Sequence, residues 1–267
     1  MEDNKYAQYI LEKELAQKLR LSNTTERKHA YKALYGELFS KFPNIAYNPK
    51  SDMSHKIGWQ IELLKPFLQS NLVFVEVGAG NCLLSIEIAK YVKDVIAYEV
   101  AETAPHIENA PNNLHLKIFD GIQFSEPDNS IDIIYSNQVF EHLHPDDTPD
   151  HLAQCYNMLT PGGRLIIITP NGLTGPYDIS RHYSMTPEGL HLKEYNYAEL
   201  KQQLISIGFK KPKFFIGSKK TGYYCLNAGV VLFLESFYKK IPISIRYKLK
   251  GFSLLKNVFG IKIMVSK

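Results

Sequence analysis

The sequence predicts an α/β protein whose mostly parallel sheet carries helices on both faces. Three observations support this. From Leu72 to about Gly217, short β-branched apolar runs alternate with stretches of helical periodicity, the trace that βαβ units leave. The first of those runs, "VFVEVGAGNC" at 73–82, breaks at two glycines and resumes with helical spacing. The chain's last residues, "GIKIMVSK", alternate as a strand does, so a long segment intervenes before the sheet is completed.

Taken in order, residues 1–40 read as two amphipathic helices broken at "LSNTTERKH", where Ser22, Asn23 or Thr24 caps the second. "FPNIAYNPKSDMS" is expected to be a loop, and a helix over 55–68 leads into a strand at 72–77. A helix at 82–92, a strand at 95–99, a helix near 103–109 and strands at 114–119 and 131–136 follow. After them come a helix at 148–159 and a strand at 164–169. "HLKEYNYAELKQQLISIGF" supplies a helix stopping at Gly208, with a strand at 212–216 behind it. "GYYCLNAGVVLFLESFYKK" is apolar, but Asn227, Gly229 and Glu235 interrupt it well short of the ~20 residues a membrane span needs. Because a strand follows, 219–259 reads as a helical insertion before the last strand, a lid or dimer surface rather than a membrane anchor.

With 267 residues, 45% of them hydrophobic and 22% charged, the chain can bury a full core. The charged, amphipathic N-terminus lacks the plan of a signal peptide, so a cytoplasmic location is expected. Cys82, Cys155 and Cys225 are odd in number and far apart, which argues against a disulfide framework and a thiolate zinc site. The net charge of +4 comes largely from lysines in the C-terminal third, a solvated face or one suited to an anionic partner.

The glycine turn suits a ligand that approaches backbone closely, yet the place of the third glycine of a dinucleotide fingerprint is Leu83. Glu99 ends the second strand, where an acid can accept from both hydroxyls of a ribose. "FDGIQF" puts Asp120-Gly121 after strand three, "SNQVFEHL" follows strand four, and "MLTPGGRLIIITPN" is a helix end, a turn and a fifth strand. These pieces, in this order over about residues 55–217, resemble the class I S-adenosylmethionine-dependent methyltransferases. That resemblance implies a Rossmann-like fold with a seven-stranded sheet of order 3-2-1-4-5-7-6, its seventh strand antiparallel. Residues 1–54 would then form an N-terminal helical cap, and 55–267 the methyltransferase domain with its insertion.

The resemblance also implies roles. Gly78 and Gly80 would let backbone reach the methionine moiety, Glu76 would steady the turn, and Glu99 would hold the ribose hydroxyls. Asp120 and the Gly121 N–H would meet the adenine, and Asn137 would lie near the sulfonium. The Glu141-His142 pair, with the later "HLKEY", resembles both polysaccharide-cluster O-methyltransferases and metal-dependent enzymes that methylate ribose hydroxyls. In the second pattern Gln138, Glu141, His142 and His191 match the ligands of a divalent metal, with an amide at Gln138 in place of a carboxylate. Two readings stay open: a metal at Glu141, His142 and His191, or His142 as a metal-free base.

Removing a proton from an acceptor hydroxyl needs one or the other. His182 is a further candidate catalyst, Arg181 suits a phosphate or carboxylate on the acceptor, and Tyr47, His55 and Trp59 are candidates to close over the cofactor. The expected activity is O-methylation of a sugar, nucleotide-linked or phosphorylated precursor in bacterial glycan assembly. Ribose methylation of RNA and a non-catalytic cofactor-binding protein are the alternatives, the RNA reading weakened by the absence of an RNA-binding module. A homodimer is compatible with the insertion.

Overall fold

The computed structural model describes residues 2–46, 53–101, 110–218, 222–249 and 259–267. The helix expected near 103–109 and the Tyr47 and His55 side chains lie outside the described residues.

Two helices open the chain, α1 (Glu2–Leu21) and α2 (Thr24–Lys41), with a single turn α3 (Pro43–Ala46) in the stretch expected to be loop. Of the three candidate caps, Asn23 is the one used. Its side chain accepts from the Glu26 N–H while Glu26 accepts in return from the Asn23 N–H, so two otherwise orphaned donors at the helix start are satisfied. α4 (Met53–Leu64) ends in a 3-10 turn whose Pro66 cannot continue the α-helical ladder.

The sheet follows: β1 (Val73–Val77), α5 (Leu83–Ile88), β2 (Asp94–Glu99), β3 (Leu114–Ile118), β4 (Ile131–Asn137), α6 (Thr148–Met158), β5 (Leu159–Thr169), α7 (Tyr197–Ile207), β6 (Lys210–Ser218), β7 (Gly222–Leu226), α8 (Ala228–Lys239), α9 (Ile243–Leu249) and β8 (Ile261–Ser266). Its strand order is β3-β2-β1-β4-β5-β8-β6-β7. β1 to β5 are parallel, while β8 runs antiparallel between β5 and β6.

The expected seven-strand order is present with one strand added, so the sheet has eight strands. The extra one is β7, which turns back on β6 as an antiparallel hairpin, Phe214 opposite Leu226. Its "GYYCL" abuts the helical "NAGVVLF", and the apolar pattern alone did not separate the two. β5 begins five residues early because Leu159 also pairs with Ile131, and the ladder shifts register between Ile131 and Ile133.

Each face of the sheet packs its own core. Val75, Val77, Ile134 and Leu165 join Leu152, Cys155 and Leu200 of α6 and α7 on one side. Phe74, Val95, Ile133 and Ile166 join Leu63, Leu64 and Leu84 of α4 and α5 on the other. A third cluster, including Leu15, Leu19, Tyr31, Leu38 and Leu190, fastens α1 and α2 onto the strand-end loops.

A buried ion pair adds to that attachment. Arg27 Nε and Nη2 donate to Asp147 at 2.6 and 2.7 Å, and the Thr24 hydroxyl donates to Asp147 Oδ1 at 2.8 Å. Burial pushes the Asp147 carboxyl up, but the guanidinium and hydroxyl more than offset this and hold it below its ordinary value. A depressed folded pKa adds stability that is complete above the unfolded value of about 3.9 and is lost as pH falls through the folded one. Thermal midpoints measured from pH 6 downward should therefore fall below about pH 4. Arg27→Met should flatten that limb; an unchanged slope would remove the pair from the acid response.

Candidate active site

In a parallel sheet, the carboxyl ends of β1, β2, β4 and β5 open on one edge. The order reverses between β1 and β4, which leaves a crevice there. The glycine turn follows β1 into that crevice. Gly78 (φ +73°) and Gly80 (φ +54°) both take the left-handed backbone, and the N–H groups of Gly78 and Ala79 both donate to the Tyr98 carbonyl of β2. The Gly80 N–H donates to Glu99 Oε2 at 2.6 Å, and the other oxygen of Glu99 accepts from the Val100 N–H at 2.8 Å. Burial raises the Glu99 carboxyl's pKa, and these amides pull it back.

The two glycines differ in what a side chain would meet. A Cβ at Gly80 has open space toward the cavity, whereas one at Gly78 would lie 2.4 Å from Val139 Cγ2 in the loop after β4. Gly78→Ala is thus expected to cost about 1–3 kcal/mol from the strained backbone alone, with the clash on top. Urea unfolding would measure it, and Val139→Ala in the same chain should recover part of the loss. A recovery of nothing would mean the clash is absorbed elsewhere.

Glu76 lies beneath the turn and accepts from the Ser85 hydroxyl, its pKa pushed up by burial to about 8. Asp120 Oδ1 is occupied by its own turn, accepting from the Ile122 and Gln123 N–H groups at 2.9 and 2.7 Å. Gly121 (φ +84°) packs against Tyr31 and Val100. At the end of β4, Asn137 Nδ2 donates to Gln60 Oε1 at 3.3 Å. Among the described residues, Ser136 Oγ, Asn137 Oδ1 and Glu141 Oε1 are buried there without a hydrogen-bond partner, an arrangement that suits polar groups of a ligand.

Glu141, His142 and His191 come together, with one donor atom from each within 4.8 Å of the others. Thr169 donates to Glu141 Oε2 at 2.8 Å and leaves Oε1 unpartnered. His142 Nδ1 lies 3.0 Å from the Leu190 carbonyl, which only accepts, so Nδ1 carries the proton and Nε2 keeps a lone pair. His191 Nδ1 is fixed in the same way, 2.7 Å from Glu194 Oε1, which also accepts from the Tyr177 N–H.

Burial holds His142 down to about 3 and His191 to about 4, both neutral at pH 7, and pushes the carboxyls of Glu141 and Glu194 up to about 8 and 7. The Glu141 carboxyl with its idle oxygen and two imidazoles oriented through Nδ1 fit a divalent cation, whose charge would draw that carboxyl into its ionised form. Gln138, the fourth position of the metal pattern, is exposed with φ +57° and lies outside the cluster.

His182 is not brought to this group: it is exposed, and Arg181 Nε donates to its Nε2 at 3.1 Å. Trp59 packs against Tyr223 of β7 rather than over the crevice. What covers the crevice comes from α1 and α2. A cavity of about 400 Å³ has Gly80, Glu99, His142 and His191 on one side and Gln8, Glu12, Tyr35 and Phe39 on the other, with Arg181 also in its wall. A second, of about 180 Å³, shares Glu99, His142 and Tyr35 and runs to Phe119, Val139 and Gly121. Glu12 had a sequence signal, an acid within the apolar stripe of Leu11, Leu15 and Leu19. Burial raises its pKa, and Gln8 donates to it at 2.7 Å.

Against known proteins, the family model described as "Methyltransferase domain" matches residues 50–211. The chain belongs to that family. The methyltransferase is 29% identical over 137 residues to a Mycolicibacterium smegmatis protein described as a probable S-adenosylmethionine-dependent methyltransferase, covering 51% of each chain. A Mycobacterium tuberculosis protein of like description is 30% identical over 136 residues, 51% of this chain and 47% of that one. The chain thus spans about half the length of the curated relatives it matches. An S-adenosylmethionine-dependent methyltransferase from Archaeoglobus fulgidus shares the fold, with a TM-score of 0.53 at 19% identity over 87% of this chain and 99% of that one. The family match takes in both the glycine turn and the Glu141–His142–His191 cluster. It leaves out α1, α2, α3 and everything from β7 onward.

Proposed function

We propose that this methyltransferase uses S-adenosylmethionine to methylate a hydroxyl of a small, anionic acceptor: a sugar, nucleotide-linked or phosphorylated precursor of the kind used in bacterial glycan assembly. One observation carries the reading. The same cavity is bounded by the Gly80–Glu99 turn and by the imidazoles of His142 and His191, so a nucleoside-binding wall and a proton-handling wall face one space.

The cofactor, when bound, supplies a methyl group on a sulfonium. Around it, Glu99 is the acceptor for ribose hydroxyls, its amide contacts fixing the carboxylate before any ligand arrives. Phe119, Val100, Val139 and Leu143 give the smaller cavity flat apolar walls for a base. Asn137 Oδ1 and Ser136 Oγ offer polar atoms that have no hydrogen-bond partner among the described residues.

On the acceptor side, Glu141 Oε1 and the Nε2 atoms of His142 and His191 hold a divalent ion in this proposal. Such an ion lowers the pKa of a coordinated hydroxyl. Glu194 and the Leu190 carbonyl keep both imidazoles in the tautomer that can coordinate. Arg181 provides the fork that pairs with a phosphate or carboxylate on the acceptor.

Calorimetric titration with S-adenosylmethionine, then labelled methyl transfer to a panel of nucleotide sugars and sugar phosphates, tests the reading. Hydroxyl methylation that chelator stops and added Mg²⁺ or Mn²⁺ restores is the expected result. Absence of cofactor binding would sink the reading outright. Label found only on amines, or only on oligoribonucleotides, would sink the acceptor class.

A further inference from the structure

We propose that the outward face of α8 and α9 seats the protein on an anionic lipid surface. Val230, Phe233, Leu234 and Phe237 of α8 recur at the spacing that puts residues on one side of a helix, and all four are exposed, Phe233 by 61% and Phe237 by 53%. Ile243 and Ile245 of α9 extend the apolar surface. The helix cannot roll this stripe inward. On its opposite side Val231 and Tyr238 are buried, and Glu235 accepts from the N–H groups of Tyr197 and Ala198 at the start of α7 and from Asn171 Nδ2.

Charge decides what covers the stripe. From Leu200 to Lys267 the sequence holds one acidic residue, Glu235, and that one is buried. Lys239 and Lys240 are exposed at the end of α8, and Lys240 Nζ sits 5.1 Å from the Phe237 ring, a cation at the margin of the apolar stripe. Lys248 is exposed on α9. A second copy meeting this face about a two-fold axis would bring the lysines of α8 and α9 against their own copies, with no exposed acid on either helix to offset them. An anionic headgroup layer instead matches both parts: aromatics enter the headgroup–acyl boundary and lysines meet the phosphates.

Among the described residues no helix is long and apolar enough to cross a membrane, so the contact is surface seating. The seat is tied to the cavity: Arg246 donates to the Leu173 carbonyl, and the Tyr247 hydroxyl donates to the carbonyl of Arg181, which lines the acceptor wall.

Vesicle flotation of the full chain tests this, with phosphatidylcholine vesicles made with and without phosphatidylglycerol. Wild-type protein should float only with the phosphatidylglycerol vesicles and should be released by salt. Phe233→Ser with Phe237→Ser, and separately Lys239→Glu with Lys240→Glu, should each lower partitioning roughly tenfold or more. Circular dichroism and S-adenosylmethionine affinity should stay unchanged; if the phenylalanine variant fails to fold, the lysine variant carries the test alone. No flotation with either vesicle, or equal flotation with both, overturns the proposal. So does a concentration-dependent dimer in sedimentation that the phenylalanine substitutions dissolve, since the stripe would then belong to a second copy.

Discussion

His142→Ala is expected to lower turnover by about 10²–10⁴-fold, the range that loss of a proton-handling group produces, while changing S-adenosylmethionine affinity little. The asymmetry follows from position. His142 is held by the Leu190 carbonyl and faces His191 at 4.9 Å between ring centroids; its ring borders both cavities, but its free Nε2 belongs with the Glu141–His191 group proposed for the acceptor. The contacts proposed for the nucleoside belong to Glu99 and the glycine turn. Glu141→Gln makes the comparison sharper, since the amide keeps the size of the side chain and an oxygen for Thr169 but weakens any hold on a divalent ion. If the cluster works through an ion, both variants lose activity, and excess Mn²⁺ should recover more of the Gln variant's loss. Should His142→Ala turn over the acceptor at the wild-type rate, neither an ion at this cluster nor an imidazole base can be the device that takes the proton.

Glu99→Ala is expected to weaken S-adenosylmethionine binding by about two orders of magnitude or more. Two hydroxyl contacts to a charged acceptor, each worth about 1.5–3 kcal/mol, disappear together. The Gly80 and Val100 N–H groups also lose their acceptor, so the turn loosens as well. Glu99→Gln separates the two effects, because its single carbonyl oxygen can still receive one of those amides while the negative charge is gone. Calorimetry gives the dissociation constants and thermal unfolding gives the cost to the turn. An unchanged dissociation constant in both variants would exclude Glu99 from the cofactor site.

How far the sequence went depended on whether a feature was local. The turn at Gly78–Gly80, Glu99 at a strand end, and Glu141-His142 after β4 are each written in a few adjacent residues, and the structure gathers them on one sheet edge. His191 could be paired with them only through the family pattern, because some fifty residues, α6 and β5 among them, separate it from His142 and no local spacing links the two. Of the residues expected to close over the crevice, Trp59 lies elsewhere for the same reason. Trp59 belongs to a helix whose apolar side faces the opposite core, whereas Gln8, Glu12 and Tyr35 reach the cavity because the third apolar cluster and the Arg27–Asp147 pair fix where α1 and α2 lie. Local spacing fixes a side chain's place on its helix, not what that helix lies against. Helix ends slipped as well: α5 stops at Ile88, although apolar residues continue to Val92.

The place of β8 bears on how this molecule is made. Synthesis runs from the N-terminus, so β5 and the β6–β7 hairpin exist before the strand that joins them. From the completion of β6 at Ser218 to that of β8 at Ser266 the ribosome needs several seconds, at about 5–20 residues per second. Through that interval the nascent chain carries two open strand edges, one on β5 and one on β6, each able to pair with a neighbouring nascent chain. The hairpin's early closure on one side of β6 halves that strand's exposure, and only the emergence of Ile261–Ser266 removes the rest.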